Sequence, residues 1–209
     1  MKGSYRKPIP ITVLCSIVLI FGSMSLFAQD NSGFYTDTDL GLNRANSLAD
    51  PSASISLTSG VRWDVSMGYA FKLPGNVTLG PDAEAGIIYN PLDQATPSGG
   101  QSASVSGSYI QVPLLANGIL KWEPIPHLVV YGGGGAGCDA DSLDVTSVSG
   151  TGTDIVGSEV DFAWQAQAGI RYHFNTCEIG VAYKYLAVKP SGLNTVRNNA
   201  ILASFTAYF

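Results

Sequence analysis

Basic residues are scarce in this sequence. Lysine and arginine together number 11 against 16 acidic residues, and charged residues make up only 13% of the 209-residue chain. Three of the basic residues, Lys2, Arg6 and Lys7, precede residue 29, whereas all the acidic residues follow it. Because a nucleic-acid-binding protein needs a basic surface, the composition predicts no nucleic-acid partner.

Long apolar runs are absent beyond the beginning of the chain. Residues 9–27 are almost wholly apolar, follow the basic residues and end before Ala28, a small residue suited to cleavage. We predict a signal peptide over residues 1–28, cleaved after export, and one domain over residues 29–209. An N-terminal membrane anchor is the alternative. No later run approaches the ~18 residues of a transmembrane helix, so a membrane role would need strands.

Side chains typical of catalytic and metal sites are also few. His127 and His173 are the only histidines, and neither has the further ligands that a zinc site requires. The glycine run at 132–135 lacks the following Lys-Ser or Lys-Thr of a phosphate-binding loop. No serine is placed to act with His173 and Glu178. We therefore expect no metal, no cofactor, no catalytic residue and no enzyme activity.

Alternation of apolar and other residues is the main pattern that is present. In segment 61–72 the odd-numbered residues are apolar, and the even-numbered ones are polar or small. A period of two places the two sets on opposite faces of a strand. The same alternation is clear in 109–122, 161–174, 177–189 and 200–209, and weaker in 33–44, 77–90 and 127–139. Its glycines leave the faces of segment 127–139 unassigned.

The connections between these segments alternate in length. Short ones at 74–75, 124–126 and 175–176 contain turn residues, and long ones at 45–55, 91–105, 140–159 and 190–197 are rich in Ser, Gly, Thr and Asp. Strands of about 9–11 tilted residues cross a bilayer, and open sheet edges cannot exist in lipid. The sequence therefore predicts an all-β fold, an eight-stranded antiparallel up-and-down transmembrane β-barrel with its short turns in the periplasm.

Two cysteines follow the predicted signal peptide. In this topology Cys138 and Cys177 lie at opposite ends of the barrel, nearly 30 Å apart at ~3.3 Å per tilted residue. A disulfide requires Cα atoms within ~7 Å, so we predict that both thiols are free.

Aromatic residues end four strands at the side of the short turns. Phe71, Trp122, Phe174 and Phe209 all lie on the apolar face of their segments. We predict that they form a girdle at the periplasmic interface, where aromatic side chains are favoured. The aromatic core of a soluble sandwich is the alternative interpretation.

Charged residues fall at similar depth on the predicted inner face. They are Arg62, Asp64, Glu84 and Lys184, joined by Asp39. The interior of an eight-stranded barrel is just wide enough for side chains to fill, and buried charges need partners. Asp64 and Glu84 would repel each other unless Arg62 or Lys184 lies between them. We predict a packed polar network that rigidifies the barrel, with a narrow ion path as the alternative.

Three segments resemble the small outer-membrane barrel families, including the opacity-like porins and the OmpA-like membrane domain. They are the last ten residues, Ala-Ile-Leu-Ala-Ser-Phe-Thr-Ala-Tyr-Phe, the Gly-Phe-Tyr-Thr at 33–36, and the pair Gln-Ala-Gly-Ile-Arg-Tyr and Val-Ala-Tyr-Lys-Tyr within 162–185. The resemblance implies location in the cell outer membrane, contact with its lipids, and recognition of the strand ending at Phe209 by the barrel-assembly machinery. Asp37 and Asp39 depart from the small residues usual in the first strand. Because no peptidoglycan-binding domain follows, cell-wall tethering is not expected.

The fold leaves several functions open, because small barrels host many. We expect a monomer with a structural or surface-interaction role, whose long loops contact ligands outside the cell. A narrow porin-like channel for ions or small solutes is one alternative. A soluble periplasmic ligand-binding β-barrel is another.

Overall fold

A computed structural model describes residues 33–149, 151–190 and 193–209, with the backbone alone for residues 152–156. The predicted signal peptide at 1–28 lies outside the described residues. Within them, no helix has both the length and the apolar character needed to cross a membrane.

Ten strands follow one another along the described chain. They are β1 Gly33–Ala45, β2 Leu48–Ala49, β3 Ala53–Leu57, β4 Gly60–Leu73, β5 Val77–Pro97, β6 Ala103–Ile125, β7 Leu128–Val148, β8 Thr151–His173, β9 Cys177–Val188 and β10 Val196–Tyr208.

The eight longer strands form a closed antiparallel ring. Each of β4 to β9 pairs with the next strand in sequence, and β1 pairs with both β4 and β10. The two short strands, β2 and β3, extend the sheet from β5 instead. This architecture confirms the predicted eight-stranded antiparallel barrel. We call the end with the short connections the turn end and the opposite end the loop end.

The wall of the barrel is much taller on one side. Strands β5 to β8 contain 21 to 23 residues, whereas β1, β4, β9 and β10 contain 12 to 14. The interpretation of 91–105 and 140–159 as long loops was therefore wrong for most of their length. Their Ser, Thr and Gly residues continue the strand pairing beyond the belt of apolar side chains on the outer face of the barrel. Both faces of the sheet can be polar there, because both are in contact with water.

Alternation places the polar side chains inside and the apolar ones outside. On β4, Arg62 and Asp64 are at most 1% exposed, whereas Val61 is 51% and Trp63 36% exposed. The faces of β7 now become clear, because Val129 and Tyr131 are buried and Cys138 is exposed on the outside.

The glycine run follows from close packing between strands. A side chain at Gly135 would collide with the amide of Asn117 and the backbone of Ala116, and one at Gly137 with the backbone of Leu114. These glycines therefore let β7 approach β6 closely.

Closure of the ring depends on a similar approach at the seam between β1 and β10. A Cβ atom at Gly41 would collide with the backbone of Ile201 and Leu202, whereas one at Gly118 on the outer face would meet open space.

We expect the wild-type barrel and Gly118→Val, refolded in detergent, to migrate differently on a gel before and after boiling. Gly41→Val should show no such shift. Closure of Gly41→Val as readily as Gly118→Val would contradict the seam described above.

Cys138 and Cys177 are both free thiols, with Cys138 exposed and Cys177 half-buried.

Alkylation of the unfolded protein lacking residues 1–28 should add two labels per chain without any reductant. Equal labelling after prior reduction is the control. An increase on reduction would reveal a disulfide and contradict the strand positions.

Candidate functional site in the barrel lumen

The five charged residues predicted to meet in the lumen come from four strands. Asp39 lies on β1, Arg62 and Asp64 on β4, Glu84 on β5 and Lys184 on β9, and each is at most 4% exposed. The register brings Asp39 directly opposite Asp64. Carboxylates so placed repel each other unless cations separate them.

Two cations lie among these carboxylates. The Nζ of Lys184 is 2.8 Å from Asp39, 3.0 Å from Asp64 and 3.0 Å from Glu84. The Nε of Arg62 is 2.8 Å from Asp64, and its Nη2 is 3.3 Å from Glu84. Gln165 joins the cluster by accepting a hydrogen bond from Arg62 and donating one to Glu84.

The chain of ion pairs continues towards the turn end through Arg171, Glu178 and Lys121, which were not part of the predicted network. Arg171 contacts Asp37 and lies 3.6 Å from Glu178, which in turn is 3.1 Å from the Nζ of Lys121. All three lie on the inner face by strand parity, which was the available signal. Their pairing across the lumen depends on strand stagger and was not visible in the sequence.

Tyrosines fill the space around these cations. The guanidinium of Arg171 lies 4.1 Å from the ring centroid of Tyr131, and Lys121 lies about 5 Å from the rings of Tyr35 and Tyr208. The hydroxyl of Tyr208 donates a 2.6 Å hydrogen bond to Glu178. Cation–π contacts and hydrogen bonds therefore replace the water that these ions have lost.

Above the charges, towards the loop end, amide side chains form a tier across the lumen. Asn43 donates to Asn90 at 2.9 Å and to Asn198 at 2.8 Å. Asn198 donates to Gln111, and Gln111 donates to Asp139, each at 2.9 Å. The tier links β1, β5, β6 and β10 through neutral amides and reaches β7 at the carboxylate of Asp139.

An apolar layer lies at and beyond the level of the amide tier, at the loop end of the lumen. Leu48 of β2 is 3% exposed within it, so the short β2–β3 extension packs against this layer. The other buried members include Ile88, Leu92, Val105, Tyr109, Leu186, Val188 and Val196. At the turn end, by contrast, a cavity of about 380 Å³ is lined by residues including Lys121, Glu178 and Tyr208.

The four residues of the predicted aromatic girdle differ in exposure. Phe71, Trp122 and Phe174 are 46–52% exposed on the outer face, near the turn end. Phe209 is half-buried, and its N–H donates to the carbonyl of Phe34 across the seam between β1 and β10. Their action as a girdle at the membrane interface stays a prediction.

The other candidates for chemistry lie near the turn end. The Nδ1 of His173 is 3.7 Å from Glu178, and the ring of His127 stacks on Tyr172. Within the described part of the chain, no three His, Cys, Asp or Glu side chains are arranged to hold a metal ion.

Comparison with known proteins supports an outer-membrane barrel. The family model of the outer membrane protein beta-barrel domain matches residues 14–209. Neisserial surface protein A is similar in structure, with a TM-score of 0.56 and 16% identity over 85% of this chain and 98% of its own. OprG of Pseudomonas aeruginosa has a TM-score of 0.54 and 10% identity over 88% and 99% of the two chains. No curated protein sequence gives a significant match.

The exclusion of enzymes in the sequence analysis was wrong. Structures similar to this chain include the outer membrane enzyme PagL, with a TM-score of 0.50 and 10% identity, and the outer membrane protease OmpT of Escherichia coli, with a TM-score of 0.52 and 8% identity. At these identities the similarity shows the fold alone, but it shows that the fold carries enzymes. Catalytic side chains in a barrel come from separate strands, so a search for local motifs does not exclude them.

The soluble alternative is not supported by these findings. An outer belt with exposed apolar side chains on each of the eight long strands surrounds the ring, and the matching family model is that of an outer membrane protein domain. The matched family model covers nearly the whole sequence, and the chain therefore belongs to the outer membrane protein beta-barrel domain family, as an integral β-barrel of the outer membrane.

Proposed function

We propose that this barrel has a structural and surface-interaction role, with a sealed lumen and a tall loop-end wall that meets partners outside the cell. The observation that carries the proposal is the apolar layer at the loop end of the lumen, with Leu48 of β2 packed into it. Ions do not cross a dry apolar constriction readily, so this layer favours a sealed lumen over one that conducts ions.

The ion pairs below the layer support the same role. Arg62 and Lys184 each contact more than one carboxylate, and all of these groups are buried. Moving a charge along such a network would leave its partners unpaired in a medium of low dielectric constant. The network therefore holds the strands in one arrangement.

The loop end supplies the surface for interaction. Strands β5 to β8 extend furthest beyond the apolar belt, and β3 pairs with the loop-end part of β5. In the turn between β2 and β3, hydrogen bonds from the Ser52 hydroxyl and from the N–H groups of Ser52 and Ala53 lower the pKa of Asp50 below its usual range. The turn is thus ordered by local hydrogen bonds, as a fixed binding surface requires.

The same proposal includes three expectations about partners. Outer-membrane lipids contact the exposed apolar belt, which includes Val61, Ile179 and Ile201. The barrel-assembly machinery recognises β10, whose outer face alternates apolar residues up to Phe205. The assembled barrel functions as a monomer.

Conductance tests whether the lumen is sealed. Because the apolar layer blocks the loop end, we expect the folded protein to give no steady single-channel steps in planar bilayers. The heat shift of the same sample serves as the control for folding. Steps of uniform size that scale with salt concentration would favour the porin-like channel instead.

Removal of Lys184 tests the structural role of the network. Lys184→Met keeps most of the side-chain volume but leaves Asp39, Asp64 and Glu84 short of one cation. Breaking a buried ion pair in this way costs about 3–5 kcal/mol. We expect a loss of that order in the free energy of unfolding by urea in lipid vesicles.

The matched control for Lys184 is Lys189→Met, which removes an exposed lysine directly after β9, the strand that carries Lys184. Exposed substitutions typically change stability by less than about 0.5 kcal/mol. Equal stabilities of the two variants would show that the network does not hold the barrel together.

A further inference from the structure

Among the residues that the structure describes, no strand lies beside one edge of β8 at the loop end. Its pairing with β9 begins at Ala163 opposite Val188, and the last backbone contact is from the N–H of Lys189 to the carbonyl of Phe162. Residues 157–161 pair only with β7 on their other side, as far as the described residues show. The wall is therefore an open sheet here, although it is a closed ring below.

Strand geometry identifies the groups at this free edge. The carbonyl of Phe162 points towards β9, and the direction of backbone groups alternates along a strand. The N–H and C=O groups of Val160 and Ser158 therefore point to the same side, where β9 has already ended. Such a row of backbone groups is a template for one more strand.

This edge lies further towards the loop end than the aromatic residue Trp164 of the same strand. Trp164 and Tyr185, with ring centroids 5.3 Å apart, form an aromatic pair of the kind that is favoured at a membrane interface. Val160 is four residues beyond Trp164, which is about 10 Å further out for a tilted strand. A water-soluble partner is therefore able to reach it.

The side chains beside the edge differ between its two faces. Glu159 and Asp161 lie on the face that continues the lumen, opposite Asp141 and Asp139 of β7. Asp139 is fully buried with one carboxylate oxygen that lacks a hydrogen bond, and one oxygen of Asp161 is likewise without a partner. The outer face carries Val160 and Phe162, which are 69% and 62% exposed.

A second copy of this chain is a poor occupant for the edge. Two β8 edges paired antiparallel around Val160 would set the Glu159 and Asp161 carboxylates of one copy against those of the other. Like charges directly opposite each other destabilise a sheet. The acidic face instead complements lysine or arginine, and the apolar face complements valine or isoleucine.

We propose that the free edge of β8 binds an extended peptide segment by strand addition, and that this segment alternates basic and apolar residues. Its backbone pairs with Val160 and Ser158, its basic side chains meet Glu159 and Asp161, and its apolar side chains lie against Val160 and Phe162. This inference deepens the surface-interaction role proposed above and rests on it.

The probe for this site is a synthetic nine-residue peptide of alternating lysine and valine with blocked ends and a fluorescent label. We expect it to bind the folded barrel in non-ionic detergent, measured by fluorescence anisotropy, and to protect the Val160 amide from hydrogen exchange. A peptide of the same composition in shuffled order and an alternating Glu-Val peptide should each bind at least about tenfold more weakly.

Two pairs of variants separate backbone pairing from charge. Val160→Pro removes an N–H at the free edge, where proline is tolerated, and should weaken binding about tenfold, whereas Val160→Ala keeps the N–H and should weaken it about threefold at most. Glu159→Gln with Asp161→Asn should weaken binding and reduce its salt dependence, whereas Ser158→Ala should change neither.

A peptide methylated on alternate backbone nitrogens keeps the test decisive even if Val160→Pro fails to fold. Equal binding of the methylated and unmethylated peptides would show attraction by charge alone and would overturn strand addition. No binding of the alternating peptide would also overturn it. Conductance and the heat shift do not involve this edge. A sealed and stable barrel that does not bind the peptide would therefore leave the proposed structural role intact.

Discussion

Within the hydrocarbon layer, a backbone N–H or C=O group without a partner costs several kcal/mol, and this constraint determines the architecture of the chain. Each strand must have a neighbour on both sides, which the pairing of β1 with β10 achieves. The close approach at Gly41 that permits this seam follows from the same requirement. Beyond the apolar belt the constraint no longer applies, so β5 to β8 continue while β9 ends at Val188 and leaves β8 with a free edge.

A second constraint acts inside the ring. The lumen of eight strands admits little water, so each ion in it must be compensated by protein groups. Lys184 compensates three carboxylates at once, and Arg171 rests on the ring of Tyr131 while it contacts Asp37. Towards the loop end the ion pairs are followed by the amide tier and the apolar layer, with acidic residues on the β7–β8 side. This order places the charges near the turn-end cavity and places the apolar layer between them and the exterior.

Much of the fold could be predicted from the sequence, because lipid outside and polar groups inside impose a period of two on every strand. Alternation in segment 61–72 was enough to place Arg62 and Asp64 inside. The reach of the long strands could not be predicted, because serine- and threonine-rich strands above the membrane have no apolar face to mark them. The pairing of Arg171 with Glu178 was also hidden, since it depends on how the strands are staggered around the ring. Enzyme activity was excluded on the absence of a local motif, which is a weak argument for a fold whose side chains converge from distant segments.

The acidic residues beside the free edge of β8 are more numerous than protection against self-association requires. Natural sheets protect an edge with a charge, a proline or a bulge, and Glu159 alone would suffice. Instead two like-charged pairs, Asp139 with Asp161 and Asp141 with Glu159, face each other across β7 and β8, an arrangement that destabilises the sheet. Tyr109 and Gln111 each donate only one hydrogen bond to this group. A bound lysine or arginine side chain would relieve the repulsion between these carboxylates. The relief adds to the affinity for a basic peptide but not for a neutral one, so the site selects basic segments.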